Sequence, residues 1–261
     1  MRSSGPVVGR RWMFLLLFAS SARASPPATD GAPKPPPAEL QQRVAQAMKS
    51  DEEPLSREEC QALTGHARPL EECSLTAVAG GKAALLQLTT ECGGDSCDVQ
   101  VFVYRPGQPV LRLPDSSKGG SLTGGHLVMT PSLEHVITDW VGLGPRDMGD
   151  WRVELYRIEL RTGKASPWVK GCFSPALSPG GRWILCRNRR GDVLKVPLTG
   201  GTPTLVHRGG LSAEQVSWTP YAYLYPDAVT FPSPGRMRVT TSVVAGEDGE
   251  TQRTQELPWR E

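Results

Sequence analysis

The chain has 261 residues, enough for one large β domain or two small ones, and its 21% charged and 38% hydrophobic residues are ordinary for a soluble globule. A formal net charge of +2 gives no reason to expect nucleic acid or an anionic membrane surface as partner. With 28 glycines and 24 prolines, many turns are favoured over long helices.

At the N-terminus, Arg2, Arg10 and Arg11 precede the apolar run WMFLLLFA, and Ala22-Arg23-Ala24 follows it. A basic stretch, a short apolar stretch and an A-x-A site predict a secretory signal peptide over residues 1–24, cleaved after Ala24. The apolar run is far shorter than the roughly 20 residues that cross a bilayer core, so the mature chain is expected not to span a membrane. No cysteine follows the run, which argues against a lipid anchor, and Arg10-Arg11 leaves twin-arginine export open beside the general secretory route. The expected location is periplasmic or extracellular. Six cysteines, an even number, suit an oxidising compartment, although spacing alone leaves about 15 pairings open.

Residues 25–37 hold six prolines and should form an extended, solvated linker. Residues 38–73 read as a short helical cap. Leu40, Val44 and Ala47 fall at helical spacing, and Ser56 with Glu59 three residues later forms a capping box.

From residue 74 onward the texture changes to short alternating runs separated by Gly/Pro turns, a β signature. The stretch Ser178-Pro179-Gly180-Gly181-Arg182-Trp183-Ile184-Leu185 aligns without gaps on Val78–Leu85 and on Thr130–Ile137, and Thr219-Pro220 marks a fourth start. The starts near 78, 130, 178 and 219 are separated by 52, 48 and 41 residues. Those steps match the ~40–50 residues of a four-stranded blade. The expected fold class is all-β: a β-propeller-like array of about four four-stranded blades over 74–261, with a short N-terminal helical cap. An open or degenerate array is the main alternative.

The stretch LSPGGRWILC…GDVLKVPLTGGTP resembles the blade repeat of TolB-type (WD-repeat-like) β-propellers, a repeat shared with prolyl-oligopeptidase-like enzymes. Gly180 stands where that family's Ser-Pro-Asp-Gly turn has its Asp, and Ser132-Leu133 lacks both Asp and Gly. The resemblance implies an exported bacterial envelope protein and specifies fold more than function. The blade reading also narrows the disulfides. Cys172 and Cys186 lie equidistant from Pro179 and should face each other across a hairpin. Cys92 and Cys97 flank a hairpin loop, which leaves Cys60 and Cys73 to tie the cap to the first blade.

No catalytic residue, metal ligand or cofactor site stands out. The run GGSLTGG (119–125) puts Thr123 where a nucleophile elbow needs glycine, and it reads as a connector between blades. His66, His126, His135 and His207 are scattered, and DMGD (147–150) and GEDGE (246–250) read as polar hairpin tips. Two surfaces qualify as interaction candidates: Tyr221, Tyr223 and Tyr225 on one face of an extended stretch, and the basic hairpin of Arg187, Arg189 and Arg190. The expected function is an exported, non-catalytic binding or scaffold protein of the cell envelope, with another envelope or extracellular protein as partner. Two alternatives stand beside it. One is a hydrolase or lyase whose loops around the propeller axis gather perturbed acidic or histidine side chains. The other is an extracellular peptide- or glycan-binding module.

Overall fold

The computed structural model describes residues 35–49, 54–78, 80–93, 96–114, 116–117, 120–143, 151–211, 229–244 and 250–261. Side chains at 91–93, 96–98, 116–117, 120–125, 141–143, 151–152, 242–244 and 250–252 fall outside that description. The signal-peptide and most of the linker residues, and Thr219-Pro220, also lie outside it.

Two helices, α1 (Ala38–Ala47) and α2 (Arg57–Thr64), come first. At α2 the capping box forms as the sequence predicts: Glu59 N–H donates to Ser56 Oγ at 3.1 Å, and Ser56 N–H donates to Glu59 Oε2 at 2.7 Å. Gly65 closes α2 with φ of +67°, a conformation that glycine adopts without a Cβ clash.

Four antiparallel sheets follow in chain order. Blade 1 holds β1 (Glu72–Val78), β2 (Ala83–Gly93), β3 (Ser96–Tyr104) and β4 (Leu111–Arg112). Blade 2 holds β5 (Ser116–Ser117), β6 (Gly120–Met129), β7 (His135–Leu143), β8 (Trp151–Glu159) and β9 (Ala165–Lys170). Blade 3 holds β10 (Phe173–Leu177), β11 (Trp183–Arg187), β12 (Val193–Pro197) and β13 (Thr204–His207), and blade 4 holds β14 (Val229–Ser233), β15 (Arg236–Val244) and β16 (Glu250–Pro258). The strand β10 contacts both β6 and β14, so the first long strands of blades 2 to 4 gather together, as in a four-bladed β-propeller. The expected fold class is the observed one.

Strand alternation explains how the blades stack. In β2, Ala83 and Leu85 face blade 2, where they meet Val136, Ile158 and Leu160. Their neighbours Ala84, Leu86 and Leu88 face the other way and pack with Phe102 and Tyr104 against Val44, Cys60 and Leu63 of the helices. The helical cap therefore covers the face of blade 1 that blade 2 leaves free. Ile137, Leu155, Ile184 and Val196 form the core between blades 2 and 3, and Leu185, Val193, Met237 and Val239 form the one between blades 3 and 4. Each fully buried aliphatic side chain in these cores contributes about 1.5–3 kcal/mol. Among the described residues, no apolar cluster joins blade 4 to blade 1.

Arginines reinforce the stack at matching places. Arg105, just after β3, donates through Nη2 to Leu160 O of blade 2 at 3.4 Å, and Arg157 in β8 donates to Leu198 O of blade 3 at 2.7 Å. Arg157 also lies 4.7 Å from the Trp168 ring centroid.

The repeated Ser/Thr-Pro turn has a physical reason. Thr130 Oγ1 accepts from His135 N–H at 3.2 Å, and Ser178 Oγ accepts from Trp183 N–H at 3.3 Å, so each hydroxyl closes the turn between a blade's first long strands. Gly181 has φ of +68°, and a Cβ there would sit 2.7 Å from Pro131 Cγ, because the turns of blades 2 and 3 touch. In blade 4 the equivalent turn is Ser233-Pro234-Gly235-Arg236, with Ser233 paired to Arg236, later in the chain than the Thr219-Pro220 start predicted from sequence. The residues 120–125 are also not a connector. They belong to β6, where Gly120, Ser121 and Leu122 pair with Gly142, Val141 and Trp140.

Cys60–Cys73 and Cys172–Cys186 are disulfide-bonded, with Cα atoms 6.6 Å and 5.7 Å apart. Cys92 and Cys97 are backbone partners in the β2–β3 ladder, and their side chains lie outside the described residues. The pair Cys172 and Cys186 is diagonal rather than directly opposed. Phe173 faces Arg187, because a bulge between Phe173 and Ala176 shifts the register.

Candidate functional site

The two ends of the blades differ in chemistry. At one end lie the Ser/Thr-Pro turns. The strands β2, β7, β11 and β15 all run away from those turns, and their later residues gather at the opposite end. Along those strands sit the buried polar residues Thr90, Thr138, Asp139, Arg187 and Thr241, with Ser174 beside them at the start of β10. A polar group inside a β core costs free energy unless it is paired, so its partners show what it does.

Asp139 is completely buried in β7. Its Oδ2 lies 2.8 Å from His126 Nδ1, and its Oδ1 accepts Ser174 N–H from blade 3 at 2.8 Å. His126 stands one step beyond Leu127 on the β6 ladder, as Asp139 stands one step beyond Thr138 on β7, so the strand pairing itself brings the two together. The side chain of His126 is 9% exposed. Burial raises the Asp139 carboxyl above its ordinary range, against the opposing pull of His126 and of the Ser174 N–H. Ser174 itself has φ of +51°, a strained conformation for a residue with a Cβ, and its Oγ is buried with no hydrogen-bond partner.

Arg187 occupies in blade 3 the position that Asp139 occupies in blade 2, 48 residues earlier. Both reach forward to the next blade. Arg187 donates through Nη1 to Thr240 O of blade 4 at 3.2 Å, and its guanidinium carbon lies 5.8 Å from the Phe173 ring centroid. Its Nε and Nη2 are buried with no partner. Burial without a carboxylate lowers its pKa to about 10.

The basic hairpin predicted from sequence is thus divided. Arg187 is 2% exposed and belongs to the interior, Arg189 is half-buried with an unpartnered Nη2, and Arg190 is exposed at the tip. Both faces of β11 are buried, Ile184 and Cys186 toward blade 2 and Leu185 toward blade 4, so Arg187 is interior with them, which composition does not reveal. Tyr221, Tyr223 and Tyr225 lie outside the described residues, as does DMGD (147–150). His135 lies away from His126 at the turn end, beside a recess of about 370 Å³ lined by Arg105, Glu134, Glu159 and Arg161. Among the described residues, no group of three or more His, Cys, Asp or Glu is placed to hold a metal ion.

The sequence reading passed over His126 and Asp139. The equidistance rule applied to Cys172 and Cys186 would set His126 opposite Val136 around Pro131; the observed register is offset from it, with Leu127 facing Thr138, and that offset is what brings His126 to Asp139.

No family model and no curated protein matches the chain. Its fold is similar to that of dipeptidyl peptidase 4 from Porphyromonas gingivalis, with 13% identity and a TM-score of 0.37, covering 78% of this chain and 31% of that one. It is also similar to an oligogalacturonate lyase in complex with manganese, with 13% identity and a TM-score of 0.41, over 70% of this chain and 48% of the other. The β-propeller domain of the Trilobed protease from Pyrococcus furiosus, which has an open velcro topology, has 7% identity and a TM-score of 0.39, over 72% of this chain and 55% of that one. The chain therefore spans between 31% and 55% of the length of these structures. At such identities the likeness says nothing about chemistry.

Proposed function

We propose that the protein is an exported binding or scaffold protein of the cell envelope, which receives its partner at the polar end of the blade array. The observation that carries this reading is the set of buried donors left open there: Arg187 Nε, Arg187 Nη2 and the Ser174 hydroxyl. Unpaired buried donors cost free energy in the isolated molecule, and a partner that accepts their hydrogen bonds recovers it. The cross-blade bonds of Asp139 and Arg187 hold those groups on a rigid β frame, which keeps the ordering cost of binding low. The two disulfides and the absence of any membrane-crossing helix among the described residues fit an exported chain. Fractionation of the native cells tests export, with the mature protein expected to begin at Ser25. Retention of the full-length chain in the cytoplasm would contradict it.

A second reading is an enzyme, and one observation favours it. Asp139 and His126 form a buried acid–imidazole pair of the kind that serves general acid–base catalysis. The two readings separate in one experiment. The purified protein is incubated with peptide and uronate-containing glycan panels, beside the His126→Ala variant. The binding reading expects no turnover by either protein. Turnover by the wild type that His126→Ala abolishes would replace it with the enzyme reading.

A further inference from the structure

We infer that Arg187 is a receptor for a single carboxylate group, supplied by the molecule that docks at the polar end; this rests on the binding reading proposed above. The geometry of the guanidinium makes the case. Nη1 lies on the Cδ side of the plane and is used on Thr240 O. The two donors left open, Nε and Nη2, share the other edge. That edge is the fork that takes the two oxygens of one carboxylate side by side, in two parallel N–H···O bonds. A carbonyl would fill half of it.

The surroundings make a chance arrangement expensive. The side chain is 2% exposed, so water does not solvate the fork in bulk. No acidic residue among the described residues pairs with it, whereas Asp139, at the matching position of blade 2, has both carboxylate oxygens engaged. A buried guanidinium without a counter-charge is among the costliest groups a core can hold, and an arriving carboxylate supplies the missing charge and both missing bonds. One residue along the paired strand, the hydroxyl of Ser174 is also buried and open. The half-buried Arg189, with its own open Nη2, adds positive potential on the approach.

The site takes one carboxylate, not a polyanionic surface, because the fork is a single edge set inside the blade. The carboxylate can belong to a small free acid or to the C-terminus of a peptide. The test uses full-length mature wild-type protein, and the Arg187 Nε–H proton followed by NMR. Acetate, triglycine, triglycine amide and inorganic phosphate are titrated at constant ionic strength. The expected result is a saturable shift of that resonance with acetate, triglycine or both, and none with the amide. Triglycine alone would assign a peptide terminus, and acetate alone a small acid. In calorimetric titrations with the same compounds, the Arg187→Lys variant, which keeps the charge and loses the fork, should bind the responding carboxylate at least tenfold more weakly than the wild type. An Arg187 resonance that no carboxylate moves, or that phosphate moves at lower concentration than either carboxylate, overturns the proposal. Wild-type titrations alone decide this, so a variant that fails to fold does not rescue it. A negative result also leaves the binding reading standing, since that reading is judged by turnover.

Discussion

Removing the carboxylate of Asp139 should loosen the joint between blades 2 and 3. The side chain is fully buried and makes two bonds of 2.8 Å, one to His126 and one to the backbone N–H of Ser174. In Asp139→Ala the Ser174 N–H is left without an acceptor inside the core, at about 1–3 kcal/mol, and His126 loses its bond to the carboxylate as well. The expected loss is about 2–4 kcal/mol in urea unfolding at neutral pH. Asp139→Asn keeps an oxygen for Ser174 and an amide facing His126, and should cost about 1 kcal/mol or less. The pH dependence separates charge from hydrogen bonding. Burial raises the folded-state pKa of Asp139 above its ordinary 3.8, so the folded protein holds this proton more tightly than the unfolded chain does. Stability from this group is therefore greatest below the unfolded pKa and declines as pH rises through the folded one. The wild type should lose ground to Asp139→Asn as pH increases above that ordinary value. An Asp139→Ala protein within about 0.5 kcal/mol of wild type, or a wild type that gains on Asp139→Asn with rising pH, would refute the reasoning.

Three further outcomes follow from the fold. Replacing Cys172 and Cys186 by alanine opens a loop of sequence separation 14, and should cost about 3 kcal/mol in denaturant unfolding. Non-reducing peptide mapping should return Cys60–Cys73, Cys92–Cys97 and Cys172–Cys186, and any crossed pair contradicts the blade register. Gly180→Asp should destabilise by about 1 kcal/mol, because its Cβ would lie 2.8 Å from Glu261 Cδ and bring two carboxylates together. Adding Glu261→Ala should reverse the loss in a double-mutant cycle, and additive effects would show that the two positions do not share the turn.

That last pair also shows how far the sequence could be read. The number of blades, their antiparallel strands and the helical cap were legible, because a Ser/Thr-Pro turn followed by alternating apolar residues has a local cause at each copy. Gly180 looked like a departure from the Ser-Pro-Asp-Gly turn. The reason lies 81 residues away: Glu261 Oε1 accepts the Gly180 N–H at 2.7 Å, and Glu261 Oε2 accepts from the Ser178 hydroxyl at 3.2 Å. Burial alone would raise the Glu261 carboxyl, but these bonds, with Trp259 and Arg182, hold it below the ordinary range. Glu261 thus holds a carboxylate against the blade 3 turn through both Gly180 and Ser178.

Blade 4 was misplaced for a related reason. Ser233 and its partner Arg236 enclose two residues where Ser178 and Trp183 in blade 3 enclose four, and a gap-free comparison slides past the shorter turn. The polar end was hardest to read. Arg187 belongs to a run that looks solvated, and it is interior because β11 is covered on both faces by the neighbouring blades. His126 was dismissed as scattered because its partner lies across a hairpin, not beside it in the chain.

The claim that everything else leans on is that the polar end, and not the turn end, meets the partner. A photo-crosslinking residue can be placed at Arg190, exposed at the tip of the β11–β12 hairpin, and separately at Lys82, exposed beside the turn of blade 1. After illumination of the native envelope, adducts should form from position 190 and disappear when Arg187→Met is added, while position 82 stays unreacted. Adducts from position 82 alone would contradict the account.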